Sequence, residues 1–290
     1  MQEAINKAEA LVEALDYISK FQGKIVVVKL GGSIMDDEAA QAMLLADVMF
    51  MSTVGMQPVL VHGGGKAITA KMAEAGLEAH FVGGFRYTDE RTLAIVEHVL
   101  CGEINNFLVK TLNSLGAMAM GLHSLSSCVL FGEKMFLEEQ DRRIDIGLVG
   151  RVTDVNSHLL KVLCKAGTVP VIAPIARDKG GGKLNVNADT AAGEVAAALK
   201  AEKLVVLSDT HGIRTRRDDA NSLASTLTEA QVHELVASGV IDKGMLPKVQ
   251  ACLRAIGAGV GKAHIIDGRF PHSLLLEIYT AAGVGTEIVK

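Results

Sequence analysis

The chain is expected to fold as an α/β protein, a three-layer sandwich with a central, mostly parallel open sheet and two lobes. Three observations predict this. Short apolar runs rich in β-branched residues alternate with amphipathic helical patterns along most of the sequence. The composition, 49% apolar and 21% charged over 290 residues, supplies a large core. Several of the apolar runs end in glycine-rich or polar turns, as strands do when their carboxyl ends border a ligand crevice.

Taken in order, Ile5, Ala8, Leu11, Val12, Leu15 and Ile18 follow helical spacing. Residues 1–22 are therefore expected to be an amphipathic helix, packed on its own domain or, as an interface helix, on another subunit. Its acids, Glu3, Glu9, Glu13 and Asp16, argue against a transit peptide, and it has no signal-peptide core. Strands are expected at 24–30, 57–61, 117–121, 168–173, 203–208 and 263–266, and helices at 37–54, 65–76, 89–115, 156–166, 188–200 and 244–256. Segments 80–87, 127–137 and 147–153 read as hairpins near the sheet edge, and Asp178 to Lys183 as a hinge or hairpin tip. The lobes are expected to divide near residue 175, into 23–175 and 176–290.

Lys+Arg is 29 against Asp+Glu 33, a net charge of −4, so any anion site is local and nucleic acid is not an expected partner. Cys101, Cys128, Cys164 and Cys252 form no C-x-x-C pair, which predicts reduced thiols, no zinc site and a cytoplasmic setting. The longest apolar runs are too short for a bilayer, so no membrane is expected.

The anion site is expected at the first strand. Ile25 to Val28 run into Lys29-Leu30-Gly31-Gly32-Ser33, and Pro58 to Val61 into His62-Gly63-Gly64-Gly65. Glycines let backbone N–H groups approach a phosphate, and the lysine adds a full charge. This is not a Walker A loop: Gly261-Lys262-Ala263 has Ile256 where the first glycine belongs and enters a strand. It is not a dinucleotide fingerprint either, since Ile68 stands where the third glycine is required.

The pieces V-V-V-K-L-G-G-S (26–33), V-H-G-G-G (61–65), L-N-V-N-A-D (184–189), L-S-D-T-H-G-I (207–213) and G-M-L-P-K-V (244–249) resemble, in order, the amino acid kinase family. V-G-G-F-R-Y-T-D (82–89) resembles the substrate-arginine segment of the branch that phosphorylates N-acetyl-L-glutamate. The resemblance implies transfer of the ATP γ-phosphoryl group to a side-chain carboxylate in arginine biosynthesis, with Mg2+ bound through ATP and no direct protein ligands to the metal. A carboxylate is already ionised at neutral pH, so positioning and charge neutralisation are needed rather than a general base. On this reading Lys29 and Lys248 flank the transferring group, and Asp189 orients both lysines. Gly64, Gly65, Arg86, Asn185 and Asn187 bind substrate, with Arg86 on its α-carboxylate. Gly31, Gly32, Ser208, Asp209, Gly212, Gly244 and Met245 bind the nucleotide. Asn187 or Asp189 also suits a helix N-cap, and His62 is expected to orient backbone rather than carry protons.

Both ends resemble the arginine-inhibited members, which implies a hexamer (a trimer of dimers) and an arginine site at Tyr17, His264, Glu277, Gly283 and Gly285. Three alternatives stay open: an N-acetyl-aminoadipate kinase, a carbamate kinase, and a non-catalytic arginine sensor. One methylene of substrate length is worth only about 1–3 kcal/mol of discrimination.

Overall fold

The computed structural model describes residues 1–31, 34–139, 142–242, 244–279 and 283–290. The first half runs α1 (Gln2–Phe21), β1 (Ile25–Leu30), α2 (Glu38–Thr53), β2 (Gln57–His62), α3 (Gly65–Glu74), β3 (Phe81–Val82), β4 (Phe85–Arg86), α4 (Glu90–Glu97), a π-helical segment (His98–Asn105), α5 (Asn106–Ser114), β5 (Met118–Leu122), β6 (Leu130–Glu139), β7 (Arg142–Val155), α6 (Ser157–Lys165) and β8 (Thr168–Ile172). The second half runs β9 (Ile175–Arg177), β10 (Lys183–Val186), α7 (Ala188–Leu199), β11 (Lys203–Ser208), β12 (Thr226–Thr228), α8 (Glu229–Ala237), α9 (Leu246–Gly257), β13 (Lys262–Asp267), α10 (Ser273–Tyr279) and β14 (Thr286–Val289).

Among the described residues eight strands form one sheet in the order β12-β14-β13-β11-β1-β2-β8-β5, parallel except between β13 and β14. It crosses both halves of the chain. β1 is central, buried from Val26 to Leu30. Its pleat sends Val26, Val28 and Leu30 to a face covered by α2, α3, α5 and α10. Val27 points to the opposite face, under α6, α7 and α9. Lys29 follows the same alternation, so it rises beside α7. That helix approaches α9 closely because Gly193 has no side chain: a Cβ there would lie 2.9 Å from the Ala251 carbonyl oxygen.

Two expectations are corrected. Segments 127–137 and 147–153 are not separate edge hairpins. They belong to one long hairpin, β6–β7, that closes with β9 and β10 into a small barrel. Four strands pairing in a ring leave no open edge to shield. The Asp178–Lys183 turn does join β9 to β10 antiparallel, so Asn185 faces Val149 on one side and Ile175 on the other. Secondly, 89–115 is not a plain α-helix: its middle, 98–105, is π-helical. The wider turn buries Leu100, Ile104 and Asn105 together. This 90–114 helix is long and apolar enough to cross a membrane by length and composition. Its apolar stripe, however, from Val96 through Ile104 to Leu112, lies in the core under the sheet. On its other side Glu97 meets Lys183 of β10 at 2.6 Å, tying the helix to the barrel.

Candidate active site

The carboxyl ends of β1, β2 and β11 open on a cavity of about 780 Å3. Lys29 and Lys248 both line it. Lys29, buried on the α7 side of β1, reaches the Asp189 carboxylate at 2.7 Å. Two buried opposite charges offset each other's desolvation, which holds the ammonium group at the cavity wall. Asp189 sits in the first turn of α7, and Asn187 caps that helix, its Oδ1 accepting from the N–H groups of Asp189 and Thr190. Capping and cavity-lining thus coincide in Asn187. Lys248 makes no ion pair with Asp189 among the described residues: from the first turn of α9, its Nζ donates to the Gly244 carbonyl at 3.2 Å.

On the β2 side, Gly64 is the N-cap of α3 and offers no side-chain cap. A Cβ on Gly64 would lie 2.7 Å from the terminal methyl groups of Leu100 and Ile104, so any larger residue there would have to displace these side chains of the π-helical segment. The first N–H groups of α3 therefore begin beside the cavity, a site suited to an anion. Gly31 is constrained similarly, with a Cβ falling 2.6 Å from the Leu207 carbonyl oxygen of β11. Gly32 lies outside the described residues.

Arg86 also lines the cavity and is buried, not a solvated hairpin residue. Its Nη2 donates to the Gly65 carbonyl at 2.9 Å and to Thr69 Oγ1 at 2.7 Å, and the Phe81 ring lies 4.9 Å from the guanidinium. Burial lowers its pKa. Asn185, Ser208 and Asp209 complete the polar wall. Asp209 belongs as well to an adjoining hollow of about 310 Å3, which Gly212 and Met245 line. Gly244 lines neither and contributes its carbonyl to Lys248.

Sequence reasoning missed Lys66, Thr69 and Leu100 as cavity residues. Lys66 directly follows the glycine turn, and Thr69 stands one helical turn after Gly65, so both were findable once α3 was placed. Leu100 was not, because only the π-helical turn aims it at Gly64.

His62 orients backbone. It is fully buried, its Nδ1 lies 3.0 Å from the Gly63 carbonyl, and Asn105 Nδ2 donates to its Nε2 at 3.1 Å. Burial lowers its pKa from 6.5 to about 4, so the ring is neutral at physiological pH. Between those values the unfolded chain binds a proton that the folded chain refuses. Stability should then fall as pH drops from 6.5 toward 4, by up to about 3 kcal/mol. Urea midpoints at pH 7 and pH 4.5 should differ less in a His62→Asn variant than in the parent chain; an equal loss in both would exclude His62 as the source.

A second cavity, about 500 Å3, lies between α1 and the β13–β14 end of the sheet, with Tyr17, Glu277, Gly283 and Gly285 in its wall. His264 is not in that wall. It points inward from β13, fully buried, with Nδ1 2.6 Å from Glu277 Oε1. Glu277 Oε2 accepts from the Val284 N–H at 2.7 Å. Burial pushes the Glu277 pKa up, but the bond and charge of His264, the Val284 N–H and the charge of Lys203 bring it below the usual value.

A match to the amino acid kinase family spans residues 24–267. The acetylglutamate kinase of Pelotomaculum thermopropionicum is 45% identical over 289 residues, covering 98% of this chain and 98% of that protein. The acetylglutamate kinase of Heliobacterium modesticaldum is 46% identical over 295 residues, covering 100% of each. Among solved structures, N-acetylglutamate synthase from Neisseria gonorrhoeae complexed with coenzyme A and N-acetyl-glutamate aligns with a TM-score of 0.86 at 25% identity over 98% of this chain. The chain spans only 63% of that longer synthase.

Proposed function

Since the chain belongs to the amino acid kinase family, we infer that it transfers the γ-phosphoryl group of ATP to the side-chain carboxylate of N-acetyl-L-glutamate. The observation that carries this reading is one cavity lined by three lysines (Lys29, Lys66 and Lys248), a helix N-terminus without a side-chain cap and a buried arginine. The acceptor carboxylate is an anion, and so is the polyphosphate. At 4 Å two unit charges interact by about 4 kcal/mol at an effective dielectric of 20, so repulsion is the main obstacle and each ammonium group removes part of it. Lys29 and Lys248 flank the transferring phosphoryl group; the N–H groups at Gly64 and Gly65 take up its equatorial charge. Arg86 pairs with the α-carboxylate, and Asn185 and Asn187 bond the remaining polar groups. No residue need accept a proton. The nucleotide extends along Gly31, Ser208 and Asp209 toward Gly212 and Met245. Residues 23–175 form the acetylglutamate lobe and 176–290 the ATP lobe, with Asn185 reaching across from the second.

Magnesium enters with ATP, held by phosphate oxygens and water. Among the described residues no three His, Cys, Asp or Glu side chains are grouped to hold a metal ion. A hydroxamate-trapping assay with ATP tests the reading. N-acetylglutamate should give acyl phosphate with a higher kcat/KM than N-acetyl-aminoadipate or carbamate. No product with any of these acids would leave only a sensor role.

The second cavity supports feedback inhibition by arginine. Glu277 offers a carboxylate for the guanidinium. The other charged residues in the wall are Lys20, Lys203, Lys262, Glu202 and Glu287. Lys262 is paired with Glu287 at 2.7 Å, which leaves Lys20 and Lys203 for the α-carboxylate. The half of α1 that exposes Val12 and Leu15 then packs on another dimer, giving a hexamer in the cytoplasm. Arginine is expected to raise the thermal midpoint of the parent chain and lower its activity, and Glu277→Gln to abolish both effects. Unchanged activity of the parent at saturating arginine rejects the proposal.

A further inference from the structure

Thr88 is fully buried beside the acceptor end of the cavity but does not line it. Its polar groups join three segments that are distant in sequence. The hydroxyl donates to the Arg86 carbonyl at 2.8 Å. Asn185 Nδ2 donates to the same hydroxyl at 3.1 Å. The Thr88 N–H donates to the Ile146 carbonyl at 3.2 Å, and its carbonyl accepts from the Leu148 N–H at 2.6 Å. Gly147, at φ +79°, makes that approach possible: a Cβ there would lie 2.2 Å from the Thr88 oxygen. The arginine hairpin, the barrel strand β7 and the strand β10 therefore meet on one residue.

The hydroxyl has a single proton, and the Arg86 carbonyl takes it. Asn185 can then approach only as a donor, so its NH2 end is turned to Thr88. Its carbonyl oxygen has no protein donor among the described residues. We propose that Thr88 is a positioning residue for the acceptor pocket: it tethers Arg86 and fixes the amide of Asn185 so that Asn185 Oδ1 accepts the amide N–H of an N-acylated substrate. This rests on the acetylglutamate reading above. Without the hydroxyl, Asn185 loses its orienting acceptor and the Arg86 backbone loses a tether, while the nucleotide end of the cavity is untouched.

Steady-state kinetics with ATP and N-acetylglutamate, with thermal midpoints alongside, test it on Thr88→Val and Thr88→Ser. Thr88→Val conserves shape but removes both bonds, and should raise the KM for N-acetylglutamate about tenfold. The KM for ATP should stay within about twofold, and Thr88→Ser, which keeps the hydroxyl, should remain near the parent. If Thr88→Val does not accumulate as folded protein, Thr88→Ala against Thr88→Ser reads the same contrast. Equal rises in both KM values, an unchanged KM for N-acetylglutamate, or a Ser variant as impaired as the Val variant would overturn the proposal. A parent chain that phosphorylates another acid but not N-acetylglutamate would instead overturn the functional reading on which it rests.

Discussion

Lys29→Met is expected to lower kcat about a thousandfold while leaving the KM for ATP within about threefold. The reason is where the charge sits. A lysine at the end of a buried strand cannot swing away to water, so its ammonium group stays at the cavity wall through the reaction. Charge that is already in place costs no reorganisation when the phosphoryl group moves. The single variant has a side effect, since it strands the Asp189 carboxylate in a buried position without its 2.7 Å partner. An unpaired buried charge destabilises by about 3–5 kcal/mol. Lys29→Met with Asp189→Asn removes that penalty and should recover most of the thermal midpoint without recovering turnover. Rapid-quench or hydroxamate assays on both variants separate the contributions. A double variant that regains activity together with stability would show that Lys29 serves the fold and not the chemistry.

How much of this site was legible in the sequence depends on how local each signal is. Ile25 to Val28, the lysine and the glycines after them lie in one short run, so strand, turn and charge were readable together. The pleat alternation placing Lys29 on the α7 face was implicit in it. Asn187 before an alanine-rich helix was readable as a cap for the same reason. The barrel was not readable. β9 and β10 have three and four residues, too few to show a period, and they close on a hairpin that begins some 45 residues before β9. The π-helical turn was hidden because one extra residue in a 25-residue helix hardly disturbs its apolar periodicity, although it alone brings Leu100 and Ile104 onto Gly64. The depth of His264 was legible and went unused: a residue inside an apolar strand at 263–266 faces a core, whatever its polarity. α8 carried a signal too, since Thr228 and Gln231 form a capping box. Thr88 shows the limit most clearly. Its neighbours Arg86 and Asp89 mark it as part of a motif, but its bond to Asn185 joins positions 97 residues apart.

Arg86→Lys should reduce kcat/KM for N-acetylglutamate about a hundredfold, nearly all through KM, because a planar guanidinium and an ammonium are not equivalent at a bidentate site. The structure gives this arginine two tasks. It braces the start of α3 through Gly65 and Thr69, and it brings a buried cation to the acceptor end of the cavity. A lysine keeps the charge but cannot hold both the Gly65 carbonyl and a carboxylate in one plane. The two tasks separate with a substrate that lacks the α-carboxylate, 4-acetamidobutyrate, whose reacting carboxylate is otherwise the same. If Arg86 recognises the α-carboxylate, the parent chain should prefer N-acetylglutamate strongly over this analogue, and Arg86→Lys should shrink that preference by lowering only the N-acetylglutamate value. If Arg86 serves only to brace α3, both substrates should lose the same factor and the preference should survive. The preference ratio is thus the quantity to measure, because a general loss of activity from a loosened helix cancels out of it.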